Sequence, residues 1–122
     1  MATIPRLKRR SEFLRVAGKG RKWATPGVVV QSLPRAPAEA PAVRVGFTAS
    51  KKVGGAVERN RAKRRLRAAA AAVLPVTAPP HHDFVLIARA ETLTRRYPDL
   101  LEDLRGAVER LARPAKRRSD AA

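Results

Sequence analysis

Cysteine is absent from the 122 residues, which rules out disulfides and thiolate-held metals at once. That lack fits a reducing compartment, and a cytoplasmic location is the expectation. Acidic residues are scarce, 10 against 27 lysines and arginines, for a formal charge of +17 and an isoelectric point near 11.8. A compact chain so charged repels itself unless a polyanion neutralises it. Aromatic residues make up only 4%, so the core has to be aliphatic. The 44% hydrophobic fraction is inflated by alanine, as in Ala68 to Ala72, and a modest core predicts marginal stability without a partner. No apolar run approaches the ~20 residues a bilayer span requires. Arg9, Arg10 and Glu12 interrupt the basic N-terminus where a secretory signal would be apolar. No membrane partner is expected.

The shortage of acids also bears on catalysis. A self-sufficient nuclease needs clustered carboxylates for metals, or a positioned acid and base. Here the carboxylates are scattered from Glu12 to Asp120, and Asp99, Glu102, Asp103 and Glu109 fall on one terminal segment as solvated or ion-paired surface. His81-His82 lie in a proline-flanked loop with no third ligand nearby. Lys51-Lys52 lacks the glycine spacing of a phosphate-binding P-loop. No catalytic residue is assigned, and protein metal ligands are left unknown.

What is present reads as one α+β domain over residues 1–113, followed by a basic tail, 114–122, expected to be disordered. Ser11 is the expected cap of a short helix from Glu12 to about Ala17, stopped by Gly18 and Gly20. Lys22 to Thr25 and Val28 to Leu33 read as strands parted by Pro26-Gly27. Pro34 to Pro41 is too rich in proline for a central strand. Val43 to Ala49 alternates as a strand, with Val43, Val45 and Phe47 on one face. A long helix runs from about Ala56 to Val73, halted by Pro75, and Asp83 to Arg89 is apolar enough to be a central strand. A last helix, Pro98 to Ala112, spaces Leu100, Leu101, Leu104, Val108 and Leu111 to cover the sheet. The expected architecture is a two-layer domain with a small mixed sheet of about four strands.

The informative segment is Lys51 to Arg67, KKVGGAVERNRAKRRLR. At about 100° per residue, Ala62, Leu66, Ala69, Ala70 and Val73 share one stripe, the predicted core face. Asn60, Arg61, Arg64 and Arg67 spread over the opposite side, with Arg59 and Lys63 at its border. Like charges so dense repel along a helix, and Glu58 is the sole carboxylate between 51 and 67. Phosphates laid against the face would relieve this. Arginine grips phosphate with a planar fork and stacks on bases. Asn60 offers a donor and an acceptor suited to a base edge or a 2′-hydroxyl. The helical wheel alone does not separate RNA from DNA. A solvated basic face is the plainer reading, and the density of unrelieved charge argues against it.

The order KK-V-G-x-A-V-x-RN-x-x-KR-x-x-R, carried by Lys51, Lys52, Val53, Gly54, Ala56, Val57, Arg59, Asn60, Lys63, Arg64 and Arg67, resembles the signature of the bacterial ribonuclease P protein component. The start RLKRRSEFLRV, Gly20, the strand RVGFTASKK and the later HDFVLIAR stand in that family's order, from about Leu7 to Arg113. The resemblance implies the fold of the second domain of ribosomal protein S5, with a left-handed βαβ crossover. General rules favour the opposite hand, so this rests on resemblance alone. It implies a protein that is the non-catalytic subunit of an endoribonuclease, in which Mg²⁺, held mainly by RNA, serves a catalytic RNA that removes the 5′ leader of precursor tRNA. The implied partners are ribonuclease P RNA, one protein per RNA, and precursor tRNA, with no DNA. By the same resemblance Lys51, Lys52, Arg59, Asn60, Arg61, Lys63, Arg64 and Arg67 contact the catalytic RNA. Phe13, Ala17, Val30 and Gln31 would line the leader cleft, with Lys51 and Lys52 near its end. Ala17 and Gln31 depart from the aromatic residues relatives carry, which makes this cleft more polar. Phe13 suits core packing as well as leader contact, and Trp23 suits RNA stacking as well as closing the sheet edge. A ribosomal or other RNA-packaging protein is the alternative that charge, size and fold class equally allow.

Overall fold

The computed structural model describes residues 4–36 and 42–113. The expected tail and most of the proline-rich loop lie outside the described residues. Four strands, β1 (Arg21–Ala24), β2 (Val28–Pro34), β3 (Val43–Thr48) and β4 (His82–Ala88), form one sheet in the order β1-β2-β4-β3. β4 is central, antiparallel to β2 and parallel to β3, so the sheet is mixed. Its placement follows from its composition, since four successive residues, Asp83 to Leu86, are buried. The parallel pair is joined through the long helix α2 (Ala56–Thr77), and α3 (Tyr97–Ala112) packs beside it.

The main core lies between the sheet and these two helices. Val28, Val30, Val45, Phe84 and Leu86 meet the α2 stripe Ala62, Leu66, Ala69, Ala70 and Val73 and the α3 residues Leu100, Leu104, Val108 and Leu111. The expected stripe is thus the buried one. Alanine on α2 brings helix and sheet close without bulk. A short helix, α1 (Arg10–Lys19), covers part of the other sheet face, where Leu7, Val16, Leu33 and Val85 make a smaller core. The segment before it lies along the outer edge of β3, with Leu7 N–H donating to Val45 O and Val45 N–H to Pro5 O, each at 3.0 Å. That covering protects an edge that could otherwise pair with another chain.

Three local expectations change. α1 begins at Arg10, not after Ser11, because Glu12 turns back and accepts from the amides of Lys8 and Arg9, both at 2.9 Å. A carboxylate one residue away has taken the cap from the hydroxyl. Gly18 does not stop the helix. Gly20 does, and a Cβ there would fall 2.4 Å from Ser32 O and 2.5 Å from Val16 O. α2 passes through Pro75 and ends at Thr77. Its last turn is held by Thr77 Oγ1 donating to Val73 O at 2.8 Å and Ala78 N–H to Leu74 O at 2.9 Å.

Candidate nucleic-acid interface

The start of α2 is set by the turn after β3. Val53 is buried as an anchor, and its amide donates to Ser50 O at 3.1 Å. Gly54 has φ +146°, where a Cβ would sit 2.8 Å from that of Glu58. The neighbouring Gly55 amide donates to Glu58 Oε1 at 2.9 Å. The Gly55 amide at this terminus is therefore already bonded to the chain's own carboxylate. Lys51 and Lys52 stand exposed on the same turn.

Along the helix, Arg59, Lys63 and Arg67 follow one row at four-residue intervals with their stems half-buried, and Asn60, Arg61 and Arg64 are exposed. The ion pairs among the described residues involve Arg35, Arg44, Arg95 and Arg105. None involves a cation of this α2 face. The one arginine of the run outside the candidate set, Arg65, turns away. It donates to Leu93 O at 3.0 Å and to Arg95 O, tying α2 to the connection before α3. The acids of α3 are engaged elsewhere. Asp103 pairs with Arg95 and accepts from Gly27 N–H, and Glu102 and Glu109 flank Arg105. The expectation that these acids are surface or ion-pair partners holds.

The other candidate set lies on the α1 side of the sheet, with one exception. Phe13 is half-buried over Gly46, where a Cβ would come within 2.4 Å of its ring, and it packs against the smaller core. Ala17 is exposed one turn further along, and Gln31 is half-buried. Val30, however, is fully buried in the main core beneath α2 and α3. Strand alternation turns it to the opposite face, so its side chain cannot line a cleft with Gln31. The positions that share the face of Gln31 are Val29, its cross-strand partner Ile87, and Thr48, which pairs with Ile87 from the other side. All three are half-buried, and Thr48 leads directly into the Lys51–Lys52 turn. Alternation within β2 alone separates Val30 from Gln31, while the partners that share the face of Gln31 are fixed only by the pairing with β4.

On this same face, toward the start of β3 and β4, runs an ion network whose members lie far apart in the sequence. Arg44 bridges Glu12 of α1 and Asp83 of β4, with Nη1 2.6 Å from Glu12 Oε2. Arg35 Nε stands 2.8 Å from Asp83 Oδ1. The amides of Arg9 and Lys8, then the Arg44 charge, hold the Glu12 carboxyl below its usual range. Asp83 in turn keeps Arg44 firmly protonated. Trp23 lies on the α3 side of the sheet, 39% exposed, with the Arg110 guanidinium carbon 4.5 Å from its ring centroid. His82 stacks on Phe84 at 6.0 Å, and its Nδ1 lies 2.8 Å from Pro80 O, which can only accept. Among the described residues no group of three or more His, Asp or Glu side chains is placed to hold a metal ion, and no helix is long and apolar enough to cross a membrane.

Comparison with known proteins points the same way. Residues 1–112 match the family model for ribonuclease P. The chain is 52% identical over 112 residues to the ribonuclease P protein component of Paramagnetospirillum magneticum, covering 90% of this chain and 84% of that one. It is 52% identical over 107 residues to that of Caulobacter vibrioides, covering 88% and 70%. The fold is similar to the solved RNase P proteins of Staphylococcus aureus, with TM-score 0.71, 27% identity and coverage of 93% and 97%, and of Thermotoga maritima, with TM-score 0.72, 25% identity and coverage of 86% and 96%.

Proposed function

The chain belongs to the ribonuclease P protein component family, and from that premise we propose that it binds the catalytic RNA through α2 and the 5′ leader of precursor tRNA along the α1 face. The observation that carries the reading is the α2 row, where Arg59, Lys63 and Arg67 beside Arg61 and Arg64 face outward without a carboxylate partner. Phosphates are the natural counter-charges, and Arg and Asn60 side chains suit RNA backbone and base edges.

In this reading the RNA performs the endonucleolytic step and the protein carries no catalytic residue. Mg²⁺ is, in this reading, held mainly by the RNA, and when bound it supplies the hydrolytic chemistry. The protein acts by charge and position. Its basic surface screens repulsion between two RNAs, which strengthens substrate binding. On the sheet, Gln31, Val29, Ile87 and Thr48, together with Phe13 and Ala17 from α1, offer a shallow face of mixed polarity for single-stranded leader. Lys51 and Lys52 mark the end at which the two surfaces meet. The ribosomal alternative rested on charge, size and fold class, and family membership replaces it. The cytoplasm, where precursor tRNA is processed in a bacterium, is the proposed location.

The test compares precursor tRNA with mature tRNA for binding to the assembled holoenzyme and to the RNA alone. The protein should tighten precursor binding selectively, and Gln31→Ala with Phe13→Leu should reduce the selectivity. Equal gains for both tRNAs would leave the α1 face without a leader-binding role.

A further inference from the structure

We infer that the groove between α2 and the covered edge of β3 receives one unstacked base of the catalytic RNA; this rests on α2 being the RNA-facing helix. The groove has a volume of about 510 Å³, in the range of small-ligand sites, ~300–1,000 Å³. Its walls are apolar, from Phe47 on β3, Ala71 and Val76 on α2, and Ile4 of the N-terminal segment, with Arg6 and Arg67 also lining it. Val76 is 83% exposed, and its neighbour Pro75 is exposed as well, so core packing does not account for these two residues.

Three features select the occupant. The first is continuity. Arg59, Lys63 and Arg67 stand at intervals of four, and the next position in that row is Ala71, which lines the groove. A phosphate backbone following the row of cations arrives at the opening. The second is the mixture of surfaces. The Arg6 guanidinium carbon lies 5.8 Å from the Phe47 ring centroid, so a planar cation and an aromatic face are presented together, a pairing on which bases stack. The third is a polar handle. Pro75 has no N–H, which removes the helical donor that the Ala71 carbonyl would otherwise bond. An exocyclic amine of a base can supply it. A second copy of the chain is disfavoured because each carries +17, and an apolar peptide would have to seat against two guanidinium groups.

The experiment places a benzophenone-bearing phenylalanine analogue at position 76 in the assembled holoenzyme and irradiates it. A cross-link to an unpaired nucleotide of the catalytic RNA is expected. A cross-link to precursor tRNA or to a second protein chain, or no cross-link, overturns the proposal. In parallel, the uncharged double variant Ala71→Gln, Val76→Ser is titrated with the catalytic RNA over a salt series, its helix content checked by circular dichroism. Affinity should fall on the order of tenfold, as for loss of one base-stacking surface, with the salt slope unchanged because no phosphate contact is removed. Unchanged affinity overturns the groove proposal. Arg64→Ala run alongside separates the two claims. If it weakens binding while the groove variant does not, the groove fails and the α2 reading stands. If neither weakens binding, the α2 reading itself fails.

Discussion

Asp83 accepts a two-point ion pair from Arg44, with Nε 2.9 Å from Oδ1 and Nη2 2.7 Å from Oδ2. Because Arg35 also reaches this carboxylate and both Asp83 and Arg35 side chains are 2% exposed, the pair joins β3, β4 and the end of β2 in a region with little water. Removing one partner of a buried pair typically costs about 3–5 kcal/mol. Asp83→Ala should therefore lower stability by about that amount in urea unfolding. A loss within about 0.5 kcal/mol, the range of ordinary surface changes, would mean the carboxylate's desolvation cancels what it contributes.

Glu12 links stability to pH. Its folded pKa lies below the ordinary value near 4.5, chiefly through the Arg9 and Lys8 amides and then Arg44. A depressed carboxylate contributes stability that is complete above its unfolded pKa and lost as pH falls through the folded value. The stability gap between the native chain and Glu12→Gln should be constant near neutrality and shrink from about pH 5 downward. A gap that persists at low pH would assign Glu12 a role independent of its charge.

The glycines separate close approach from helix cost. Gly20→Ala places a methyl against two backbone oxygens at 2.4 and 2.5 Å, so α1 must shift from β2 and melting should fall by several degrees. Gly106 lies within α3 with nothing within 4 Å of an added Cβ. Gly106→Ala should therefore stabilise by roughly 0.5–1 kcal/mol. Thermal melts of both variants check the pair, and a stabilising Gly20→Ala would contradict the packing described.

Adjacent arginines on α2 should behave differently. Arg64→Ala should leave unfolding almost unchanged and make the log–log salt slope for RNA binding shallower by about one unit. Arg65→Ala should lower stability, since it removes donors from the carbonyls of Leu93 and Arg95, with the slope unaltered. Exchange of these two outcomes would place the RNA on the other side of the helix.

Much of this was legible from residue order, and the failures have physical causes. The α2 stripe from Ala62 to Val73 and the α3 leucines follow helical periodicity, which burial enforces, so residue order alone shows them. β4 showed itself as a central strand by its unbroken apolar run. Ser11 offers a capping hydroxyl in the sequence, but the helix starts one residue earlier, at Arg10, where Glu12 folds back onto the amides of Lys8 and Arg9. Val30 and Gln31 are neighbours in one strand and so point to opposite faces, and the residues that join Gln31 on its face are fixed by pairing with β4. Arg65 looked like its neighbours because its carbonyl partners belong to another element. Asp83 carried no local mark, since its arginines come from β3 and from the end of β2.

The central claim is that this protein assists an RNA catalyst, and cleavage of a 5′-extended precursor tRNA at low Mg²⁺ tests it most directly. The cognate RNA alone, the protein alone and the two together are compared. The account predicts release of the leader at the mature 5′ end in the mixture, with little from RNA alone and none from protein alone. No gain on adding protein, or cleavage by protein free of RNA, would contradict it.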